Sequence, residues 1–123
     1  MEVVKRYSKQ RFTILSELSK VDTHPTADEI YEMVKKIIPN ISLGTVYRNL
    51  GSLCEEGSVL KFVSEGKEHF DANIRPHIHL CCEKCGAISD IFDEFSEFTD
   101  ETLKLNSFKV NNIIISGFCD NCC

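Results

Sequence analysis

Three amphipathic segments fill the first half of the chain, and a turn-linked pair of β-prone stretches follows them. Two C-x-x-C pairs mark the second half. Together these predict an α+β fold. The first half should hold three helices and a hairpin. The second should be a small α/β unit whose thiols close it around a metal.

Residues 8–20 are expected to be the first helix, with Ser8 as N-cap and Phe12, Ile14, Leu15 and Leu18 as the apolar stripe. V-D-T-H-P (21–25) breaks it. His24 stands directly before Pro25, which favours extended backbone and a histidine on a surface loop. Thr26-Ala27-Asp28-Glu29 is a capping box. The helix it opens carries Ile30, Val34, Ile37 and Ile38 on one side and ends at Pro39. Ser42 caps a third helix over 43–56, stopped by Gly57. Its core face is Val46, Leu50 and Leu53, with Thr45, Tyr47, Arg48 and Asn49 largely off that face. A turn as short as P-N-I-S between two helices makes a helix-turn-helix, whose second helix would read DNA. A plain three-helix bundle with a solvated Tyr-Arg-Asn face fits the periodicity equally well. Residues 58–63 and 68–71 flank S-E-G-K, a hairpin turn with Gly66. Three helices followed by a hairpin make a winged helix, an architecture common among DNA-binding proteins.

The expected division is a winged-helix DNA-binding domain over 1–71, a hinge over 72–76 containing Pro76, and a second domain over 77–123. That second domain should contain strands at 77–82 and 87–92, a helix over about 95–105 and a strand at 108–115. At about 50 residues it is too small to bury a large core, so metal and self-association would both stabilise it.

The stretch from His69 to Asp90 holds three of the four histidines and three of the seven cysteines. Ligand softness sorts them into two sites. Cys82-x-x-Cys85 and Cys119-x-x-Cys122 form a four-thiolate set for zinc. His77-x-His79, with Asp71 and Asp90, offers imidazoles and carboxylates to a harder ion. On a strand His77, His79 and Cys81 share one face while Cys82 turns away. The plain reading of the two histidines is polar strand residues. Cys81 is expected to be a buried small hydrophobe, with a redox or metal-tuning role as the sharper alternative. Cys54 reads as helix packing, Cys123 as a spare thiol and His69 as a wing residue rather than a ligand.

Residues are 42% apolar, and no apolar run approaches the ~20 residues of a spanning helix. The N-terminus lacks the apolar core of a signal peptide, so a cytoplasmic protein is expected. Net charge is −5. Residues 1–66 hold nine Lys/Arg against nine Asp/Glu, and residues 67–123 hold five against ten. All the excess acid is thus in the second half. Lys5, Arg6, Lys9 and Arg11 make the N-terminal segment basic, which is compatible with DNA binding.

Y-S-K-Q-R (7–11), H-P-T-A-D-E-I-Y (24–31), S-L-G-T-V-Y-R-N-L (42–50), F-D (70–71), H-I-H (77–79) and C-E-K-C-G (82–86) occur in one order along nearly the whole chain. In this the sequence resembles the ferric-uptake-regulator family of metal-dependent repressors, and most of all its peroxide-sensing, PerR-like branch. The resemblance implies a homodimer in which the second domain dimerises, bound to a double-stranded operator and not an enzyme. It places one structural Zn²⁺ per chain on Cys82, Cys85, Cys119 and Cys122. It places one regulatory Fe²⁺ or Mn²⁺ on His24, Asp71, His77, His79 and Asp90, with His24 and His77 as the residues that iron-catalysed oxidation damages. Aspartate rather than glutamate at 71 and 90 favours the peroxide-sensing branch. Thr45, Tyr47, Arg48, Asn49 and Arg11 are the expected DNA contacts. Several features depart from the pattern. The N-terminus is short, so the leading helix should be curtailed. N-N-I-I-I-S (111–116) has no histidine for an additional site. The last strand is short, and Cys81 stands where an aliphatic residue is usual.

Two other readings remain. One is an iron- or manganese-responsive repressor of the same family without peroxide sensing. The other is a C-x-x-C thiol-disulfide oxidoreductase, disfavoured because neither pair opens a helix in a βαβ context.

Overall fold

The computed structural model describes residues 2–92 and 113–123, with side chains described from Lys9 onward. These residues belong to two compact units, Met1–Ile74 and Arg75–Cys123. The helix expected over 95–105 and the first part of the strand expected at 108–115 lie outside the described residues.

In the first unit α1 runs Glu2–Ser19, α2 Ala27–Lys35 and α3 Leu43–Glu55. The first helix starts at Glu2, so Ser8 lies inside it and is not its N-cap residue. No proline or glycine stands between Glu2 and Ser8, and serine costs little inside a helix. Phe12 is 72% exposed and leaves the expected stripe, while Ile14 and Leu18 are buried. The Thr26 capping box forms in full: the Thr26 hydroxyl accepts from the Glu29 N–H, and Glu29 accepts from the Thr26 N–H at 3.0 Å. α2 ends at Lys35, before Ile37, which is half exposed. Ile38 precedes Pro39 and so is steered away from helical backbone. The Ile37 and Ile38 N–H groups both turn back to the Val34 carbonyl. Ser42 caps α3 by accepting from the Thr45 N–H at 3.1 Å, and Gly57 ends it at φ +85.

The core gathers Ile14 and Leu18 from α1, Ile30 and Val34 from α2, Val46, Leu50 and Leu53 from α3, and Val59 and Phe70 from the hairpin. The hairpin pairs β1, Leu60–Ser64, with β2, Lys67–Asp71, antiparallel. Its turn residues Glu65 and Gly66 have φ +53 and +76, as a type I′ turn requires. Side chains alternate on β2. Phe70 enters the helical core, while His69 lies opposite Phe62, on the face it shares with Asp71.

The second unit is a three-stranded sheet of order β4-β3-β5, made of Ile78–Cys82 (β3), Ile88–Ile91 (β4) and Ile113–Gly117 (β5). β3 pairs antiparallel with β4 and parallel with β5. No helix among the described residues is long and apolar enough to cross a membrane.

Candidate metal centres and DNA-facing helix

The four thiols of the second unit come from two tight turns. Cys82 ends β3, and the chain folds back so that the Gly86 N–H reaches the Cys82 carbonyl at 3.0 Å. Cys119 and Cys122 sit on one turn closed by the Cys122 N–H on the Cys119 carbonyl at 2.9 Å. The four sulfurs lie within 4.8 Å of one another. Cys85 and Cys119 Sγ are 3.7 Å apart. Thiolates about 2.3 Å from a tetrahedral zinc would be about 3.8 Å apart, so the cluster has the right edge. The Cys85 and Cys119 N–H groups both point at Cys82 Sγ at 3.5 Å. They, with Lys84 N–H, hold its thiol down at about 6. The Cys122 thiol is pushed up to about 12, first by its hydrogen bond to Cys119. One thiolate is stabilised and the next is opposed, which is the charge problem a dication relieves. All four sequence-predicted thiols are therefore brought together. Cys81 is buried as expected, Cys123 is exposed, and half-buried Cys54 packs on the helical core with its thiol pKa raised by burial.

On the same sheet His77, His79 and Asp90 converge. Register pairs His79 with Asp90 across β3 and β4. The two Nε2 atoms are 2.9 Å apart, and Asp90 Oδ1 is 3.7 Å from the first and 3.6 Å from the second. Both histidines are buried. His77 Nδ1 donates to the Arg75 carbonyl at 2.6 Å, so in the neutral ring Nε2 is the bare, ligating nitrogen. Two donors at right angles on an octahedral ion with bonds of about 2.1 Å would be about 3.0 Å apart. The His77–His79 separation fits that set. Phe92 packs on the His77 ring at 4.5 Å and carries the Arg75 guanidinium over its own face at 4.1 Å.

The first unit holds the matching imidazole–carboxylate pair. His24 Nε2 is 3.5 Å from Asp71 Oδ2, and both residues are buried. The expectation of extended backbone and a surface position for His24 is overturned: its φ is +54 and it is 4% exposed. Local preference before proline is overruled here by contacts with the wing. His69 Nδ1 donates to the His24 carbonyl at 2.7 Å, and the Phe62 ring meets His24 edge-on at 5.7 Å. Sequence reasoning gave His69 and Phe62 no such role. The only available signal was an imidazole two positions before Asp71 on an alternating strand.

On α3, Tyr47 and Arg48 are exposed. Asn49 is half-buried and its side-chain amide donates to the Thr45 carbonyl at 2.8 Å. Thr45, expected off the core face, is buried. The Ser42 cap draws it in, the two hydroxyls meeting at 2.8 Å, and Arg48 donates to its Oγ1 at 3.1 Å. Arg11 is half-buried; it donates to Ser52 Oγ at 2.7 Å and pairs with Glu56, fastening α1 to α3.

Known proteins resemble this chain along nearly its whole length. The peroxide-responsive repressor PerR of Staphylococcus aureus is 36% identical over 121 residues, covering 95% of this chain and 82% of that protein. The crystal structure of the Campylobacter jejuni peroxide stress regulator superposes with a TM-score of 0.81 at 35% identity, over 99% of this chain and 93% of that one. The Helicobacter pylori ferric uptake regulator Fur, described with three functional metal-binding sites, gives 0.78 at 27% identity over 93% and 79%. Residues 2–117 match the ferric uptake regulator family, and the chain belongs to it.

Proposed function

We propose that this protein is a metal-dependent, DNA-binding transcriptional repressor that senses peroxide, acting in the cytoplasm as a homodimer. The donor pairing carries the reading. One unit offers two buried imidazoles with a carboxylate within 3.7 Å, and the other offers a buried imidazole with a carboxylate at 3.5 Å. His24, Asp71, His77, His79 and Asp90 then hold one Fe²⁺ or Mn²⁺, as their nitrogen–oxygen chemistry suits. Cys82, Cys85, Cys119 and Cys122 hold one structural Zn²⁺. In this reading 1–71 is the DNA-binding domain, 72–76 the hinge and 77–123 the dimerisation and metal-binding domain. Because the five ligands come from both domains, holding one ion fixes a single arrangement of them. An arrangement that fits DNA is stabilised by differential affinity.

Exposed Tyr47 and Arg48 are the leading DNA contacts, with Asn49 beside them and Thr45 setting the Arg48 side chain. Arg11 reaches DNA only by giving up Ser52 and Glu56. The exposed Ile114, Ile115 and Phe118 on and beside β5 support pairing with a second copy. The gathering of four sulfurs into one cluster supports structure over dithiol catalysis.

Ferrous iron at these residues supplies one-electron reduction of peroxide, which manganous ion does not readily do. The imidazoles of His24 and His77 are the proposed points of oxidation. An imidazole that has taken up oxygen is a poorer donor, so the domains are released from one another and DNA is lost. The test loads the protein with Fe²⁺ or Mn²⁺ and adds sub-stoichiometric peroxide. Binding is then measured to an operator selected from random DNA, and the peptides are weighed. One added oxygen is expected on a peptide containing His24 or His77, in the iron form only, with zinc retained and binding lost. Equal loss in the manganese form, or zinc release before oxidation, would make a thiol the sensor.

A further inference from the structure

We propose that His69 is a positioning residue for the regulatory metal: it latches the His24 backbone in the conformation that presents the His24 imidazole to Asp71. The inference rests on the ligand assignment above, and its observations all lie in the first unit.

His24 has φ +54 and is followed by Pro25. A left-handed backbone is costly for any residue with a Cβ, which crowds the following carbonyl oxygen. The following proline ring steers the residue toward extended backbone instead. Left to local preference, His24 would relax and carry its ring elsewhere. Three consecutive residues of β2 oppose that. The Phe70 N–H donates to the Pro25 carbonyl at 2.9 Å. His69 Nδ1 donates to the His24 carbonyl at 2.7 Å. Asp71 places its carboxylate 3.5 Å from His24 Nε2. A carbonyl only accepts, so the proton of the His69 bond is on Nδ1. Phe62, opposite His69 in register, stacks on that ring at 5.5 Å and 21° and also packs T-shaped against His24. The His69 donor is thus held in place by an aromatic partner that also touches the ligand it positions. Strand alternation explains the pattern: with Phe70 turned into the core, the latch at 69 and the ligand at 71 fall on one face.

Two substitutions separate donor from stack. His69→Phe keeps an aromatic ring on Phe62 and removes the donor. His69→Asn keeps a donor near the Nδ1 position and removes the ring. We expect Mn²⁺ affinity to fall about tenfold or more in the Phe variant, the usual effect of losing an outer-shell partner, and to stay within about threefold of wild type in the Asn variant. In metal-free protein the His24 backbone chemical shifts should move toward extended values in the Phe variant alone. Wild-type protein should show a slowly exchanging His69 Hδ1 correlated across the hydrogen bond to the His24 carbonyl carbon, a reading that needs no variant to fold. Unchanged His24 shifts and Mn²⁺ affinity in His69→Phe, an Asn variant as weak as the Phe variant, or absence of the cross-bond correlation would each overturn the latch. Should the wild-type protein bind no Mn²⁺ through these ligands, the metal assignment fails, while the metal-free shifts and correlation still decide the latch.

Discussion

The two units bury different chemistry. In the first, the main buried cluster is aliphatic and aromatic, drawn from three helices and one face of a hairpin, with Thr13, His24, Thr45 and Asp71 as the buried polar residues among those described. In the second, the buried described residues are Ile78, His77, His79, Cys81 and Cys82, four of which carry a nitrogen or sulfur donor. Burying polar donors stabilises nothing by itself, since each must be satisfied at the cost of its lost hydration. Among the described residues, the first unit's buried cluster is of the kind the hydrophobic effect stabilises, and the second's is of the kind a bound ion would stabilise.

The sharpest break of this contrast is at zinc. Cys119→Ser, or chelation, should unfold the second unit and dissociate the proposed dimer, because structural zinc binding is coupled to folding. Hydrogen exchange read by mass spectrometry should show protection lost beyond residue 75 and kept before residue 74. A zinc-free, dimeric Cys119→Ser protein with protected β3 amides would contradict it. The converse lesion is Leu53→Ala, in the first unit's core. It should destabilise that unit by about 2–5 kcal/mol in denaturant titration and leave the zinc content at one per chain. A third change should touch neither source of stability. Arg48→Ala should weaken operator binding by about 1–3 kcal/mol if the guanidinium meets a base, with the melting temperature and both metal contents preserved. Unchanged operator affinity would remove Arg48 from the interface. The smallest effect is expected from Thr26→Ala, which removes a cap from α2. It should cost the first unit about 1 kcal/mol, measured by denaturant midpoint, and alter the second not at all.

The same contrast explains what could be read from the residues alone. Thr26, Ser42 and Gly57 act through neighbours three or four positions away, so their caps are legible. The thiols and the His77–His79 pair are legible from ligand type and strand alternation. What failed depended on distant partners. Phe12 fits a helical stripe, yet nothing in its own helix says which side meets α2 and α3. Thr45 is the exception: it fits a solvent face, yet the Ser42 cap only three positions away pulls it inward. His24 obeys no local rule, because its backbone is set by a strand from the wing. His69 was passed over for a related reason: its partner is a main-chain carbonyl, which no side-chain motif encodes.

The pairing of β3 with β5 carries a consequence for the order of events during synthesis. Every partner in the first unit, including the reach from His24 to His69, is available once Asp71 has been made, so this part can condense while the second unit is still being synthesised. Ile78 finds its parallel partner only at Ile113, and Cys82 meets Cys119 only when nearly the whole chain has emerged. A newly made chain therefore passes through a stage in which a finished helical module is followed by a β3–β4 pair with one edge of β3 still open and with Cys82 and Cys85 not yet joined by Cys119 and Cys122.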